Sequence, residues 1–181
     1  MLADRGDKIY LLISEPGKLL LEHELGILAV GDESQIRTIM AQQLLGKPDY
    51  AGLTYYDSQN LGAGISSGSV RTDGMIIVPC SMGTLGRIAC GNSGNLIERA
   101  ADVILKERRP LVIAPRETPL NQIHLANMLK LAQIGAHIAP CMPAFYHHPK
   151  GIEDMVDFMA GRILDALGID HQVYTRWTEK V

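Results

Sequence analysis

The chain alternates short apolar runs with amphipathic stretches, and this alternation predicts βα units on a parallel sheet. Uninterrupted apolar runs predict strands at Lys8–Ile13, Gly74–Pro79 and Pro110–Ala114. Strands of this kind carry no polar alternation because helices cover both of their faces. Weaker strand patterns occur at Leu53–Tyr56 and Ala136–Ala139. The pattern therefore predicts an α/β fold.

The amphipathic stretches predict the helices between these strands. Asp32 is a good N-cap, and the apolar stripe after it predicts a helix that runs to about Leu45. The other predicted helices are Lys18–Leu25, one that begins within Cys80–Thr84, Leu96–Arg108, Pro119–Ile134 and Ile152–Leu167. Residues 60–69 are rich in Gly and Ser and predict a loop. Since no repeat or boundary interrupts the pattern, we expect one domain over residues 1–181, with a tail from about 168 that packs on a neighbour or on the site.

The composition excludes several classes of protein. The 181 residues are 46% hydrophobic, with a mean hydropathy of +0.06, so the chain is expected to form a core. A formal charge of −3 and 5% aromatic residues argue against nucleic-acid binding, which needs basic and stacking surfaces. No apolar stretch approaches the roughly 18 residues that span a bilayer, and the first residues are acidic where a signal peptide is basic. The three cysteines form no C-x-x-C pair, which favours the reducing cytoplasm.

Polar side chains follow three of the predicted strands. Ser14 ends the first strand, Ser81 and Thr84 follow the Gly74–Pro79 strand, and Arg116 follows the Pro110–Ala114 strand. Because ligands of open α/β sheets bind beyond the carboxyl ends of the strands, these groups indicate a phosphate pocket. The alternative is that Ser81 and Thr84 only cap a helix.

The other candidate groups have equally plain structural explanations. Lys106 lies at the C-terminal end of a predicted helix, where it either complements the helix dipole or turns inward toward an anion. Glu24 and Glu117 are candidates for acid–base work if they are buried, although an isolated Glu is more often exposed. The histidines have no metal-ligand spacing, so we expect no metal site. Spacing alone therefore predicts an α/β domain that binds a phosphate-bearing ligand.

Several longer strings resemble one family, the flavin prenyltransferases of the UbiX type, within the superfamily of flavin-binding Cys decarboxylase-like proteins. The resemblance runs from about residue 8 to the end of the chain. The strings that carry it are ISSGS (65–69), VPCSMGTL (78–85), NLIERAADV (95–103), LKERRPLV (105–112), PRETP (115–119), PAFYH (143–147) and Arg176–Trp177.

The resemblance implies a three-layer Rossmann-like (flavodoxin-like) parallel sheet with helices on both faces. It also implies a cytoplasmic homo-oligomer, a dodecamer with its sites between subunits. The implied activity is a metal-independent transfer of the dimethylallyl group from dimethylallyl monophosphate to reduced FMN. The prenylated FMN would then serve a UbiD-type decarboxylase.

The resemblance also implies roles for individual residues. The residues that fall on FMN-contacting positions are Ser14, Ser81, Met82, Gly83, Thr84 and Arg116. Tyr146 and Arg162 fall on positions that hold the prenyl phosphate. The residues on catalytic positions are Glu24, Lys106, Glu117 and Trp177.

The chemistry of these side chains suits the implied reaction. Breaking an allylic C–O bond leaves positive charge on carbon and added negative charge on phosphate, which Lys106, Arg162 and Tyr146 would stabilise. Glu117 would move a proton if burial raised its pKa. Trp177 or the flavin face would stabilise the allylic cation.

One feature departs from the family. Its members open with an additional strand and a Gly-Ala-Ser/Thr-Gly loop that cradles FMN, whereas only Met1–Asp7 precede the first strand predicted here. We therefore expect that the first βα unit is missing and that FMN binding is weakened. Two other hypotheses stay open: an FMN-dependent decarboxylase of the Cys-decarboxylase kind, and an inactive flavoprotein paralogue.

Overall fold

A computed structural model describes residues 1–176, and it confirms the predicted alternation of strands and helices. The strands are β1 (Ile9–Ile13), β2 (Leu53–Asp57), β3 (Met75–Cys80), β4 (Leu111–Pro115) and β5 (His137–Ile138). The helices are α1 (Leu2–Arg5), α2 (Glu15–Leu25), α3 (Glu33–Gln43), α4 (Met82–Ala89), α5 (Leu96–Lys106), α6 (Gln122–Gln133) and α7 (Ile152–Leu167). A 3-10 turn at Gly64–Ser66 lies within the predicted loop. None of the helices in residues 1–176 combines the length and hydropathy needed to cross a bilayer.

Capping side chains explain where several helices begin. Asp32 caps α3 as predicted, since its carboxylate accepts from the Gln35 N–H. The helix predicted from Lys18 begins at Glu15 instead, because Ser14 caps it and Pro16 is compatible with a first helical turn. The helix predicted from Pro119 begins later, after Asn121. Helix α1 was not predicted from the sequence.

All strand pairs are parallel, which confirms the predicted α/β class, but the strands form two separate sheets. One sheet has the order β1-β2 and the other the order β3-β4-β5. Within residues 1–176, no hydrogen-bonded ladder joins β1 or β2 to the other three strands. Whether the first βα unit of the family is missing stays a prediction.

The chain divides into two compact units that match the two sheets. The first unit contains residues 1–66 and 94–99, and the second contains the rest of the chain. Helix α5 begins in the first unit and ends in the second. The expectation of one domain over residues 1–181 stays a prediction.

In the first unit, α3 packs on β2 around a small core. The buried side chains of this core are Ile13, Ile27, Ala29, Ile36, Met40, Ala41, Leu53 and Tyr55. The guanidinium of Arg37, on α3, donates to the carbonyl of Leu53 in β2 (3.1 Å) and to the carbonyl of Tyr50 just before that strand (2.6 Å). Helix α2 contributes no buried residue.

In the second unit, helices cover both faces of β4. Leu111 and Ile113 pack with Leu85 of α4 and Leu131 of α6 on one face. Val112 and Ala114 pack with Ile163 of α7 on the other face. All five residues of β4 are buried, so this strand is the centre of the second unit's core.

Candidate functional site

The carboxyl ends of β3 and β4 bring two predicted phosphate-binding segments together. The backbone N–H of Arg116, just after β4, donates to the carbonyl of Cys80 at the end of β3 (3.3 Å). Ser81 follows Cys80 directly. The predicted gathering of Ser81, Thr84 and Arg116 at one sheet edge is therefore what the second unit shows.

The first turn of α4 presents the hydroxyl groups at this edge. Ser81 caps the helix by accepting from the Thr84 N–H (3.2 Å), and its hydroxyl donates to Thr84 Oγ1 (3.1 Å). Arg87 Nη2 donates to the same Thr84 oxygen (3.2 Å). The capping explanation is thus correct. It leaves the phosphate hypothesis open, because Ser81 is exposed and the first N–H groups of a helix have no partner within the helix.

Met82 and Gly83 have different environments in this turn. The Met82 side chain is 7% exposed and packs in the core. Gly83 is exposed, and a Cβ there would lie 3.3 Å from Arg87 Nη1. The absence of that carbon keeps the backbone of the turn accessible.

A groove runs beside α4 and α6 in the second unit. Its volume is about 390 Å³. The residues that line it are Met82, Gly83, Gly86, Arg87, Cys90, Asn92, Ile123, His124 and Asn127. Met82 and Gly83 connect this groove to the first turn of α4.

Two cysteines adjoin the same edge, and neither has the properties of a nucleophile. Cys80 is 1% exposed, and burial raises the pKa of its thiol to about 12. Burial also raises the pKa of Cys141, although the charge of Arg116 opposes the shift. Both thiols therefore stay protonated at neutral pH. The Cys141 N–H donates to the Pro115 carbonyl (3.0 Å). The segment that continues to Tyr146 therefore starts at this edge.

Arg162 lies on α7, and Tyr146 lies beside the same part of that helix. The Tyr146 ring meets Phe158 edge-on, with centroids 5.8 Å apart, and Phe158 lies one turn before Arg162. The pKa of Arg162 is raised mainly by its hydrogen bond with Tyr174, and the nearby Tyr146 contributes. The structure therefore brings the two predicted phosphate ligands together.

Lys106 lies at the other end of β4 from Arg116. Helix α5 ends at Lys106, β4 begins at Leu111, and Arg116 follows the last residue of that strand. Five residues of strand span about 16 Å, so the backbone positions of Lys106 and Arg116 lie at opposite ends of β4. The Lys106 side chain is 51% exposed, and its Nζ lies 3.7 Å from Glu107 Oε1.

The predicted acid–base residues lack the burial on which that hypothesis depended. Glu117 is exposed, and one of its carboxylate oxygens accepts from the Thr118 N–H (3.1 Å). Glu24 is exposed at the C-terminal end of α2. Ser14 caps the other end of that helix by accepting from the Gly17 N–H (3.1 Å). Trp177 lies outside the described residues.

Arg162 has a carboxylate partner, Asp165, that was not among the residues predicted from the sequence. Arg162 Nη1 donates to Asp165 Oδ2 (3.2 Å) on the same helix. The i,i+3 spacing of opposite charges on a predicted helix is a signal that could have identified this pair. No cluster of His, Cys, Asp or Glu within residues 1–176 has the geometry of a metal site.

Comparisons with known proteins agree with this geometry. The family model described as Flavoprotein matches residues 2–164. The flavin prenyltransferase UbiX of Halalkalibacterium halodurans is 49% identical over 176 residues, which are 97% of this chain and 82% of the relative. The UbiX protein of Methanocaldococcus jannaschii is 42% identical over 98% of this chain and 87% of its own length.

Two solved structures share the fold. A dodecameric FMN-dependent UbiX-like decarboxylase from Escherichia coli O157:H7 has a TM-score of 0.80 and 41% identity, and the match covers 93% of this chain and 83% of the relative. AnUbiX (PadA1), solved with FMN and dimethylallyl pyrophosphate, has a TM-score of 0.82 and 39% identity, with 98% and 86% covered. The chain therefore belongs to the Flavoprotein family and, within it, to the UbiX flavin prenyltransferases.

Proposed function

We propose that this chain is a metal-independent flavin prenyltransferase that transfers a dimethylallyl group from dimethylallyl monophosphate to reduced FMN. Its product would supply a UbiD-type decarboxylase. Membership of the UbiX family supports the activity. The observation that carries the proposal is the juxtaposition of Ser81, Thr84 and Arg116 at the carboxyl edge of the second sheet.

The residues at this edge fit a phosphate-bearing flavin. The hydroxyls of Ser81 and Thr84, the open backbone at Gly83 and the exposed Arg116 offer neutral and cationic donors around the start of α4. Ser14 is a further proposed FMN contact, on the family resemblance alone. When bound, reduced FMN supplies the nucleophilic ring atoms that accept the prenyl group.

Tyr146 and Arg162 are proposed to hold the phosphate of the prenyl donor. As the allylic C–O bond breaks, negative charge grows on the leaving phosphate. A guanidinium and a phenol beside it stabilise that charge more in the transition state than in the bound donor. Apolar rings such as Phe158, which is buried next to Tyr146, help to exclude water from the cation.

The number of phosphates on the donor is tested by direct comparison. The solved relative AnUbiX (PadA1) carries dimethylallyl pyrophosphate. We propose the monophosphate for this chain, and expect a higher kcat/KM with dimethylallyl monophosphate than with the diphosphate at equal concentrations of reduced FMN. A higher value with the diphosphate contradicts this choice of donor.

Lys106 is proposed to act in the site of a neighbouring copy. Within one chain Lys106 and Arg116 lie at opposite ends of β4, so one copy cannot bring both to one phosphate. A homo-oligomer with its sites between subunits resolves this separation, and the solved relative from Escherichia coli is named dodecameric. We propose the dodecamer for this chain as well.

Exposed apolar side chains supply a surface for this assembly. On α6, Ile123 is 69% exposed and Leu129 is 61% exposed. Near α7, Phe145 is 69% exposed and Ile152 is 75% exposed. Patches of this kind on a protein surface mark interfaces.

Mixed oligomers test whether the site is shared. The variants Lys106→Ala and Arg116→Ala are each expected to lose most activity. Co-expressed, they regain about a quarter of wild-type activity, since random mixing gives a quarter of the shared sites both native residues. The matched control mixes Ser81→Ala with Arg116→Ala, which does not regain activity because both residues come from one copy. If the two mixtures regain equal activity, the site is not shared between copies.

The roles of Glu24, Glu117 and Trp177 stay proposals with their own variants. Glu117→Gln and Glu24→Gln keep the shape of the side chain and remove its proton-transfer capacity. Prenyl transfer at the wild-type rate in either variant removes that residue from the catalytic set. Replacing Trp177 with Phe tests whether an indole is needed near the allylic cation.

A direct decarboxylase is the alternative, and one observation favours it. The Escherichia coli relative is named an FMN-dependent UbiX-like decarboxylase. Carbon dioxide release from an acid substrate, with the flavin unmodified, supports that alternative.

A further inference from the structure

One carboxylate in the second unit collects donors from four residues. Asp165, on α7, accepts from the Tyr174 hydroxyl (2.7 Å) and from Arg176 (2.7 and 3.3 Å). His171 Nε2 lies 3.0 Å from Oδ1, and Arg162 Nη1 donates to Oδ2 (3.2 Å). The Asp165 side chain is 19% exposed, so these bonds form in a partly desolvated place.

Three of these donors come from the segment after α7. His171, Tyr174 and Arg176 follow the helix end at Leu167 and fold back onto its last turns. Residues 170–176 are hereafter called the tail. The tail therefore depends on Asp165 for most of its polar contacts with α7.

The surface of α7 is shaped to receive the tail rings. Gly161 is buried, and a Cβ there would lie 2.7 Å from His171 Cε1, closer than side chains tolerate, while its nearest contact would be the Tyr174 ring. Tyr174 also meets Phe158 edge-on with centroids 5.1 Å apart. The same Phe158 supports Tyr146, so the tail and the proposed donor site share one aromatic cluster.

The Asp165 carboxyl is ionised at neutral pH. Burial alone would raise its pKa, but hydrogen bonds from Arg176 and Tyr174 prevail and lower the pKa to about 2. The carboxylate thus faces two guanidinium groups, those of Arg162 and Arg176. Arg176 also feels the carboxylate of Asp170, so Asp165 is left as the carboxylate that Arg162 contacts on its own helix.

We propose that Asp165 is a positioning residue that docks the tail on α7 and at the same time orients Arg162 toward the phosphate of the prenyl donor. The first part of the proposal, the docking half, is that Asp165 docks the tail, and it is argued from the contacts of residues 158–176 alone. The second part, the orienting half, is that Asp165 orients Arg162 toward the donor, and it rests on the proposed function.

Amide hydrogen exchange of the tail reports docking without flavin or donor. We expect Asp165→Ala and Asp165→Asn to speed exchange in residues 170–176, measured by mass spectrometry of peptides from that segment. The matched control is Asp157→Asn, an exposed carboxylate on the same helix, which leaves that exchange unchanged.

Donor kinetics test the orienting half. Loss of a charge-assisted hydrogen bond to Arg162 is expected to lower kcat/KM for the donor about tenfold in Asp165→Asn. Because Arg162 acts mainly on the charge that grows in the transition state, part of that loss should appear in kcat. Arg176→Ala separates the two roles, because it loosens the tail and keeps the Asp165–Arg162 contact. That variant should speed amide exchange in residues 170–176 while kcat/KM for the donor stays close to the wild-type value.

The outcomes distinguish this inference from the proposed function. Wild-type protein without prenyl transfer overturns the function and the orienting half with it, while the exchange comparison still decides the docking. Unchanged exchange of residues 170–176 in both Asp165 variants overturns the docking. An unchanged kcat/KM for the donor in Asp165→Asn overturns the orienting role. Asp165→Asn, nearly equal in shape to the native residue, keeps the test valid if Asp165→Ala fails to fold.

Discussion

The strands β1 and β4 have similar sequences and different surroundings. β1 reads Ile-Tyr-Leu-Leu-Ile and β4 reads Leu-Val-Ile-Ala-Pro, and both are apolar throughout. All residues of β4 are buried between helices, whereas in β1 only Ile13 is buried. β4 has a strand on each side, and β1 is hydrogen-bonded only to β2 among the described residues. An apolar run therefore predicts a strand that can be buried, and the neighbouring elements decide whether it is.

The comparison implies that the two units differ in local stability. A two-stranded sheet is marginal by itself, while a strand between two others and under helices is in the best-protected environment that a small domain offers. The second unit should therefore set the global stability of the chain. The first unit should open at lower cost.

The largest expected effect is on the core around β4. Ile113→Ala removes a fully buried side chain and should lower the free energy of unfolding by about 2–5 kcal/mol. The control, Leu20→Ala on α2, removes a side chain that is 40% exposed and should cost far less. Urea unfolding followed by circular dichroism measures both. Equal losses in the two variants contradict the contrast between the units.

Hydrogen exchange gives a second comparison without any substitution. Amides of β4 should exchange only through global opening, and amides of β1 should exchange through local openings of lower free energy. The expected difference in opening free energy is at least about 1–2 kcal/mol. Mass spectrometry of peptides that contain residues 9–13 and 111–115 measures it. Matching protection in the two strands shows that β1 is stabilised by a partner.

The cysteines report opening of the second unit, which contains all three. Cys90 is exposed and should react with iodoacetamide in the native protein. Cys80 should resist, because it is buried and its thiol has a pKa of about 12. Peptide mapping after a timed reaction at pH 8 measures the order. Rapid labelling of Cys80 in native protein would mean that the end of β3 is open.

The smallest expected effect is a loss of tail docking in acid. The pKa of Asp165 lies below its unfolded value of 3.8, so its contribution is complete above about pH 4 and is lost as the pH falls toward 2. The protection factors of the amides in residues 170–176, corrected for the intrinsic exchange rate at each pH, should therefore fall as the pH falls over that range. Asp165→Asn should show little pH dependence there. In the first unit, the pKa of Asp4 is also lowered to about 2, by Lys47, but that pair is exposed and should respond mainly to salt.

Local structure was largely predictable from the sequence because its causes are local. Asp32 begins its helix by capping, as its position before an apolar stripe predicted. Ser81 and Arg116 were expected at one sheet edge because parallel strands end together, and the structure places their segments side by side. These predictions needed only neighbours along the chain and one rule of sheet topology.

The rest depended on contacts between distant segments. The division into two sheets could not be inferred from β1, whose apolar run looks the same with or without a second strand partner. The exposure of Glu117 agrees with the general tendency of an isolated Glu, but no residue near it in the sequence indicates how it packs. Lys106 was expected to join the other phosphate-binding groups, and its location at the far end of β4 follows from the antiparallel course of α5 and β4.

The most direct test of the account is the mass of the flavin after anaerobic incubation of the protein with saturating reduced FMN and dimethylallyl monophosphate. Wild-type protein should add one five-carbon unit to FMN. Arg116→Ala and Lys106→Ala should each form little prenylated FMN. The two variants co-expressed should restore part of the prenylated product. Unmodified FMN with the wild-type protein at saturating donor contradicts the proposed function.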